Sequence, residues 1–284
     1  MRRAIILAHF DRHRVVDPYV GAALAAYRSV ADRLVLVSAT VGRLPGELAG
    51  VVDLFVPRVN EGYDFGSWRA GLEALGDTTA FDEVVCVNDS VYGPLWDPAA
   101  AFTHPRVAGA DFWGMVRSDQ SPASRAGRRC AHLQSWFFAA RRRLLDHPAW
   151  RGFWEDVVPQ PSKERVIDRY ELGLSETVAA AGLSTAAVFD GTRAGRLSAG
   201  EILPHLSLGD PVRSWKHLRK ARRLPHNPSE LAYRRLLAAG VPYVKVGLFR
   251  TNHYRLDLGR VRRDLREIGC DLRLVDQHIE RVAA

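Results

Sequence analysis

Three short stretches of this chain carry residue types that could do chemistry. Asn88-Asp89-Ser90 follows four consecutive apolar residues, Val84 to Val87. An apolar strand that ends by presenting an acid suits a divalent cation bridging two phosphates, because Mg²⁺ and Mn²⁺ prefer hard oxygen ligands. An ordinary Asn-Asp turn is the alternative, since both residues favour turns. The second stretch, Arg58 to Arg69, sets Asn60, Tyr63 and Asp64 around Gly62 and Gly66. Glycines there permit close backbone approach. Asp64 stands at a predicted helix start, where it is either a plain cap or part of an anion site. Asn60, Tyr63 and Asp64 could hydrogen-bond a base, ribose or sugar. No Gly-Lys-Ser/Thr follows, so this is not a phosphate loop, and it is not a dinucleotide fingerprint either.

The third stretch supplies a carboxylate of another kind. In Glu164–Ala181, Ile167, Tyr170, Leu174 and Val178 recur at spacings of three and four. Glu171 falls inside that apolar stripe. Such a setting predicts a raised pKa, which suits a general base near neutral pH. A structural pair with Arg165 or Arg169 is the alternative. His132, Gln134 and Trp136 alternate with Leu133 and Ser135 and so share one face of a predicted strand. They would line an acceptor pocket or form satisfied core contacts. His205 could complete a metal site or serve the fold. Trp215 to Arg223 is strongly basic, with Leu218 and Leu224 interspersed. It reads as a solvated helix or as a contact with anionic lipid.

These residues need elements to position them. The N-terminal third predicts strand Ala4–Ala8, helix Pro18 to Val30, strands Leu34–Ser38 and Val51–Val56, helix Asp64 to Leu75 and strand Glu83–Val87. A β-α-β-β-α-β order predicts an α/β fold, a mostly parallel central sheet with helices on both faces. Ligands of such sheets sit beyond the carboxyl ends of the strands. His9 to Asp11, Asn60 to Asp64 and Asn88 to Ser90 therefore fall on one rim. Further on, Asp111–Val116 and His132–Ala139 read as strands, separated by a polar loop, Arg117 to Arg129, expected to be mobile. Short helices follow at Arg141 to His147 and Ala149 to Val157. Glu164 to Ala181 reads as one long helix ending at Gly182, and Thr185–Phe189 as the strand closing the sheet. Residues 1–210 form the expected catalytic domain, and 211–284 a helical extension packed on it.

Composition narrows the classes. With 284 residues, 47% hydrophobic and 25% charged, the chain is an ordinary globular one. Cys86, Cys130 and Cys270 lie far apart and show no metal-ligand spacing. No stretch approaches the ~18–20 apolar residues of a membrane span. The start, Met1-Arg2-Arg3 and a short apolar run, lacks a secretory pattern and predicts a cytoplasmic protein, at most attached to the inner face of the cell membrane. The net charge of +8 fits a phosphorylated substrate, a lipid-linked phosphate or anionic lipid. No zinc-finger spacing, helix-turn-helix or aromatic-and-basic motif accompanies it, so no nucleic-acid partner is expected.

Val59 to Trp68 with Gly71-Leu72 resembles the signature of the rhamnan synthesis protein F family. So does Val87-Asn88-Asp89-Ser90-Val91-Tyr92-Gly93-Pro94. Asp111-Phe112-Trp113-Gly114, His132 to Phe137 and Tyr170-Glu171-Leu172-Gly173-Leu174-Ser175 follow in the same order, then Asn227-Pro228 and Gly240 to Val246. The resemblance runs from about His9 to Arg250. It implies a GT-A-like, Rossmann-type αβα sandwich and an inverting glycosyltransferase of polysaccharide assembly, with dTDP-L-rhamnose as the favoured donor. Asp89 would help hold a divalent cation, Mg²⁺ or Mn²⁺, although Asn88 replaces the first acid of Asp-x-Asp. His205 is a second metal candidate. His9, Asp11, Asn60, Tyr63, Asp64 and Asn88 would face the nucleotide-sugar donor. Glu171 would be the base, and Trp113, His132 and Gln134 would face a glycan or lipid-linked glycan acceptor. A UDP- or GDP-sugar donor, or a non-catalytic sugar- or nucleotide-binding module, are the alternatives.

Overall fold

The computed structural model describes residues 1–283 except 121, 123–124, 126–129 and 223–225. The expectation of a mobile loop at 117–129 falls largely outside the described residues. The N-terminal order is as predicted: β1 (Arg3–His9), α1 (Pro18–Arg28), β2 (Arg33–Ser38), β3 (Leu54–Pro57), α2 (Tyr63–Leu75) and β4 (Glu83–Asn88). β1 pairs in parallel with β2 and β4, and β2 with β3. β5 (Val91–Tyr92), β6 (Phe112–Ser118), β7 (His132–Leu133), β8 (Phe137–Arg141) and β9 (Thr185–Asp190) follow. The sheet order is β3-β2-β1-β4-β8-β6-β7, with β9 parallel to β6. β8 runs antiparallel to both β4 and β6. The sheet is therefore mixed and mostly parallel, with helices on both faces.

Strand alternation sorts the core into two layers. Ala4, Ile6, Val35, Val37, Val84 and Cys86 face α2 and the helix Pro148–Glu155. Ile5, Leu7, Leu34, Leu36, Val85 and Val87 face α1 and the C-terminal segments. Those segments are not a separate appendage. β10 (Val244–Lys245) pairs antiparallel with β5, and Leu236, Val241, Leu248, Val261 and Leu265 are buried in the α1-side layer.

Two elements depart from the sequence reading. The expected strand His132–Ala139 is broken: β7 and β8 both pair with β6, but the register shifts by two residues between them. Residues 134–136 thus bulge from the ladder, and a bulge re-aims side chains that strict alternation would sort. The expected regular helix over Glu164–Ala181 is α-helical at Lys163–Val166 and Gly173–Ala180 but makes a π turn at Ile167–Leu172. Both irregularities lie at the rim described next.

Candidate active site at the carboxyl rim of the sheet

Two adjoining cavities, of about 380 and 550 Å³, lie over this rim. Both are lined by Tyr63, Asp64, Ser90, Lys163, Asn227 and Lys245, so they form one cleft with two ends. His9, Asp11, Asn60 and Asp89 line the larger end. Asn88, His132, Gln134, Ser135 and Glu171 line the smaller.

At the larger end the strand termini fix the side chains. His9, the last residue of β1, is buried and uses both ring nitrogens, Nδ1 with Ser38 Oγ at 3.0 Å and Nε2 with the Val15 carbonyl at 3.0 Å. Burial keeps its imidazole below the ordinary histidine range. Asp89 follows β4, and its Oδ2 accepts the Phe10 N–H at 2.8 Å. Asp64 sits in the first turn of α2, where its Oδ2 accepts Asn88 Nδ2 at 2.8 Å. Burial pushes both carboxyls up, Asp89 to about 8, despite these bonds. The charge of Asp64 also raises Asp89, and that of Glu171 raises Asp64, as like charges do. Each carboxylate uses Oδ2 in these contacts. Two half-buried acids, with Lys163 and Lys245 lending Asp64 some positive charge, are oxygen donors of the kind Mg²⁺ takes when phosphates and water complete its shell.

The loop before α2 is tightly drawn. A Cβ on Gly66 would stand 2.5 Å from the Glu61 carbonyl oxygen, so only glycine allows that approach. Tyr63 holds φ at 55°, a conformation unusual for a non-glycine residue. It is 44% exposed and reaches both ends of the cleft.

The smaller end is built by the strand bulge and the π turn. Glu171 Oε2 accepts the Ser135 N–H at 2.9 Å and also the Ser135 hydroxyl. Its Oε1 stands 3.3 Å from His132 Nε2. Burial pushes the Glu171 carboxyl up, but the bonds and charge of His132 and the two Ser135 donors outweigh it and hold it below its ordinary value. The raised pKa expected from the apolar stripe is thus corrected. The π turn and the bulge bring polar partners to a position that helical periodicity assigns to apolar ones, and neither Arg165 nor Arg169 is its partner. Gln134 is pinned: its Nε2 donates to Asn227 Oδ1 at 3.0 Å, and its Oε1 accepts Trp136 Nε1 at 3.0 Å and the Ser229 hydroxyl.

Three other sequence candidates stand apart or are already engaged. Trp113 is fully buried among Phe102 and Phe137, and its Nε1 donates to Glu83 at 2.8 Å. It faces the core because β6 alternation points it inward, so it cannot meet an acceptor. His205 is buried against His217 and Tyr233, and its Nδ1 accepts the Asp257 N–H at 3.2 Å. It lines neither cavity and is not near Asp89's cleft. Asp11 lines the larger end, but its carboxylate is bound by Arg281, which also binds Asp17. Asp11, Asp17 and His278 bring ligand atoms within 4.8 Å of one another, yet this internal guanidinium already supplies the positive charge.

Lys245 was missed as a site residue. Its Nζ donates to Ser90 Oγ at 2.9 Å and stands 5.3 Å from the Trp136 ring centroid. Burial lowers its pKa to about 8 against the pull of Glu171. A lysine inside the apolar run Val241 to Val246 was the available signal, since a buried ammonium needs a reason. Lys163 and Asn227, also at the junction of the two ends, carried no such mark.

Comparison with known proteins places this rim inside a family. An uncharacterized protein, y4gN, of Sinorhizobium fredii is 25% identical over 137 residues, covering 48% of this chain and 35% of the relative. Virulence protein VirA of Vibrio anguillarum is 28% identical over 138 residues, covering 47% of this chain and 41% of the relative. The chain thus spans less than half the length of these curated relatives. Among solved structures, a glycosyltransferase involved in glycosylation of the major capsid of PBCV-1 is 10% identical, with a TM-score of 0.34 over 60% of this chain and 75% of that one. The family profile of rhamnan synthesis protein F matches residues 38–206, which include α2, β4, the strand bulge and the π turn. The chain belongs to the rhamnan synthesis protein F family.

Proposed function

We propose that the chain is an inverting glycosyltransferase, with a nucleotide-sugar donor in the larger end of the cleft and a glycan or lipid-linked glycan acceptor in the smaller. The observation that carries this reading is the division of labour along one cleft. Two carboxyls kept high by burial, Asp64 and Asp89, share the larger end, while Glu171, kept charged by His132 and Ser135, stands in the smaller. Family membership favours a rhamnosyl donor, dTDP-L-rhamnose. Asp64, Asn88 and Asp89 would hold Mg²⁺ or Mn²⁺. Such a cation, when bound, neutralises charge on the departing diphosphate. Lys163 and Lys245 add positive charge at the junction, where the sugar–phosphate bond would lie. Asn60 and Tyr63 offer hydrogen bonds to the nucleoside or sugar.

Glu171 then takes the proton of the acceptor hydroxyl as that oxygen bonds to the anomeric carbon, opposite the departing diphosphate. Electrons of the broken carbon–oxygen bond leave with the nucleotide. His132 keeps the Glu171 carboxylate ionised before the acceptor arrives, and the bulge residue Ser135 holds its orientation through two donors.

Release of dTDP from dTDP-L-rhamnose over a panel of glycan acceptors, compared with UDP- and GDP-sugars, tests the reaction. Glu171→Gln should lose turnover by roughly 10²–10⁴-fold while dTDP binding, read by thermal shift, is kept. Undiminished turnover in that variant removes the base assignment. Nucleotide-sugar binding with no diphosphate release over the whole panel leaves a binding module instead.

A further inference from the structure

The helix Pro211–Ala221 shows two unlike faces. His217 and Ala221 are buried beneath it. Val212, Trp215, Lys216, Arg219 and Arg222 are exposed, at the three- and four-residue spacing of one stripe. Its first half is apolar: Val212 is 61% and Trp215 57% exposed, and Leu208 in the preceding turn is fully exposed. Its second half is basic, and the Arg219 guanidinium lies 5.3 Å from the centre of the Trp215 ring. Asp210, also exposed, caps the helix by accepting the Arg213 N–H.

We infer that this stripe and turn are a docking surface for an anionic phospholipid bilayer. Scattered exposed apolar residues are ordinary, but two on one helix stripe with a third in the turn before it, continuous with a run of cations, are not. An interface between water and lipid takes both halves at once. Tryptophan rests at headgroup level, leucine and valine enter the acyl boundary, and lysine and arginine meet lipid phosphate. A second copy of this chain would set the basic halves against like charge if packed parallel, or against the apolar halves if packed antiparallel, and neither gives the cations an anion. A nucleic acid would leave Leu208 and Val212 without a role.

Cosedimentation of the full chain with phosphatidylcholine vesicles, with and without about one third phosphatidylglycerol, tests this. Binding to the anionic vesicles alone, weakened by salt, is expected. Lys216→Glu with Arg219→Glu should weaken it roughly tenfold or more. Leu208→Ser, Val212→Ser and Trp215→Ser together should do the same, with thermal unfolding unchanged because these side chains are exposed. Failure to bind anionic vesicles overturns the inference, as does binding that neither variant weakens. So does a concentration-dependent dimer abolished by the triple variant, or salt-sensitive binding to duplex DNA lost only with the charge reversal.

Discussion

Glu171 and His132 hold each other in opposite charge states. His132 Nδ1 lies 2.7 Å from the Cys130 carbonyl, an acceptor only, so that nitrogen carries a proton. Nε2 is then the nitrogen that faces Glu171, and donating to it makes the ring an imidazolium. Burial pushes this ring down, but the bond and charge of Glu171 outweigh it and raise the His132 pKa. The raised histidine contributes stability fully present below its unfolded pKa and lost as pH rises through its folded value. The lowered glutamate contributes stability present above its unfolded pKa and lost as pH falls through its folded value. Both act between the unfolded values, about pH 4.3 to 6.5. His132→Gln should therefore cost about 1–3 kcal/mol in that window and less on either side. Denaturant titrations of both proteins across pH check it; a cost independent of pH would separate the two residues. The sequence placed both side chains near chemistry, but it predicted a raised glutamate. Its partners come from a strand about 36 residues away, which helical spacing does not reveal.

Among the elements, α2 carries Tyr63 and Asp64 to the rim and must lie close on the sheet to do so. A Cβ at Gly71 would stand 2.4 Å from Ile6 Cγ2 and 3.0 Å from Val37 Cγ2. Gly71→Ala gains helix propensity of about 1 kcal/mol yet forces the helix away from β1 and β2. A net destabilisation of about 1–3 kcal/mol is expected from overpacking, measured by urea unfolding, with weaker nucleotide binding because Asp64 moves with the helix. A stabilised Gly71→Ala variant would mean that the layer has room to spare. The regular elements were legible in the sequence because each follows one period: apolar runs bounded by turns for β1, β2 and β4, and three- and four-residue spacing for α2. The strand bulge and the π turn were not. Each is a local departure from period, stabilised by contacts between distant segments: Gln134 N–H with the Val116 carbonyl at 2.9 Å for the bulge, and Glu171 with the Ser135 N–H at 2.9 Å for the π turn.

For the whole molecule, the C-terminal segments complete the cleft. Tyr243 and Tyr27 hydroxyls meet at 3.0 Å, the Tyr92 hydroxyl lies 2.6 Å from His278 Nδ1, and Arg281 binds Asp11 and Asp17 from the last helix, Arg273–Ala283. Among the described residues no helix is long and apolar enough to cross a membrane. Arg281→Ala would leave buried Asp17 and half-buried Asp11 without their cation. With Arg281 itself about a quarter exposed, a cost of about 1–3 kcal/mol is expected rather than the full value of a buried pair. Arg281 bonds outweigh burial and hold Asp11 below its ordinary pKa. That depressed carboxyl contributes stability above its unfolded pKa, so the difference from wild type should shrink as pH falls through the folded value. Thermal unfolding from neutral to acid pH reads this; an undiminished difference in acid would assign the cost to packing. Sequence alone determined the α/β order, the rim and the residues of family signature, because periodicity and strand ends are local properties of the chain. Tertiary structure alone decided which carboxyls are held high and which low, that Trp113 and His205 serve the core, and that Lys245 reaches the junction of the cleft. Those outcomes depend on burial and on partners far along the chain, and neither is written in the spacing of neighbouring residues.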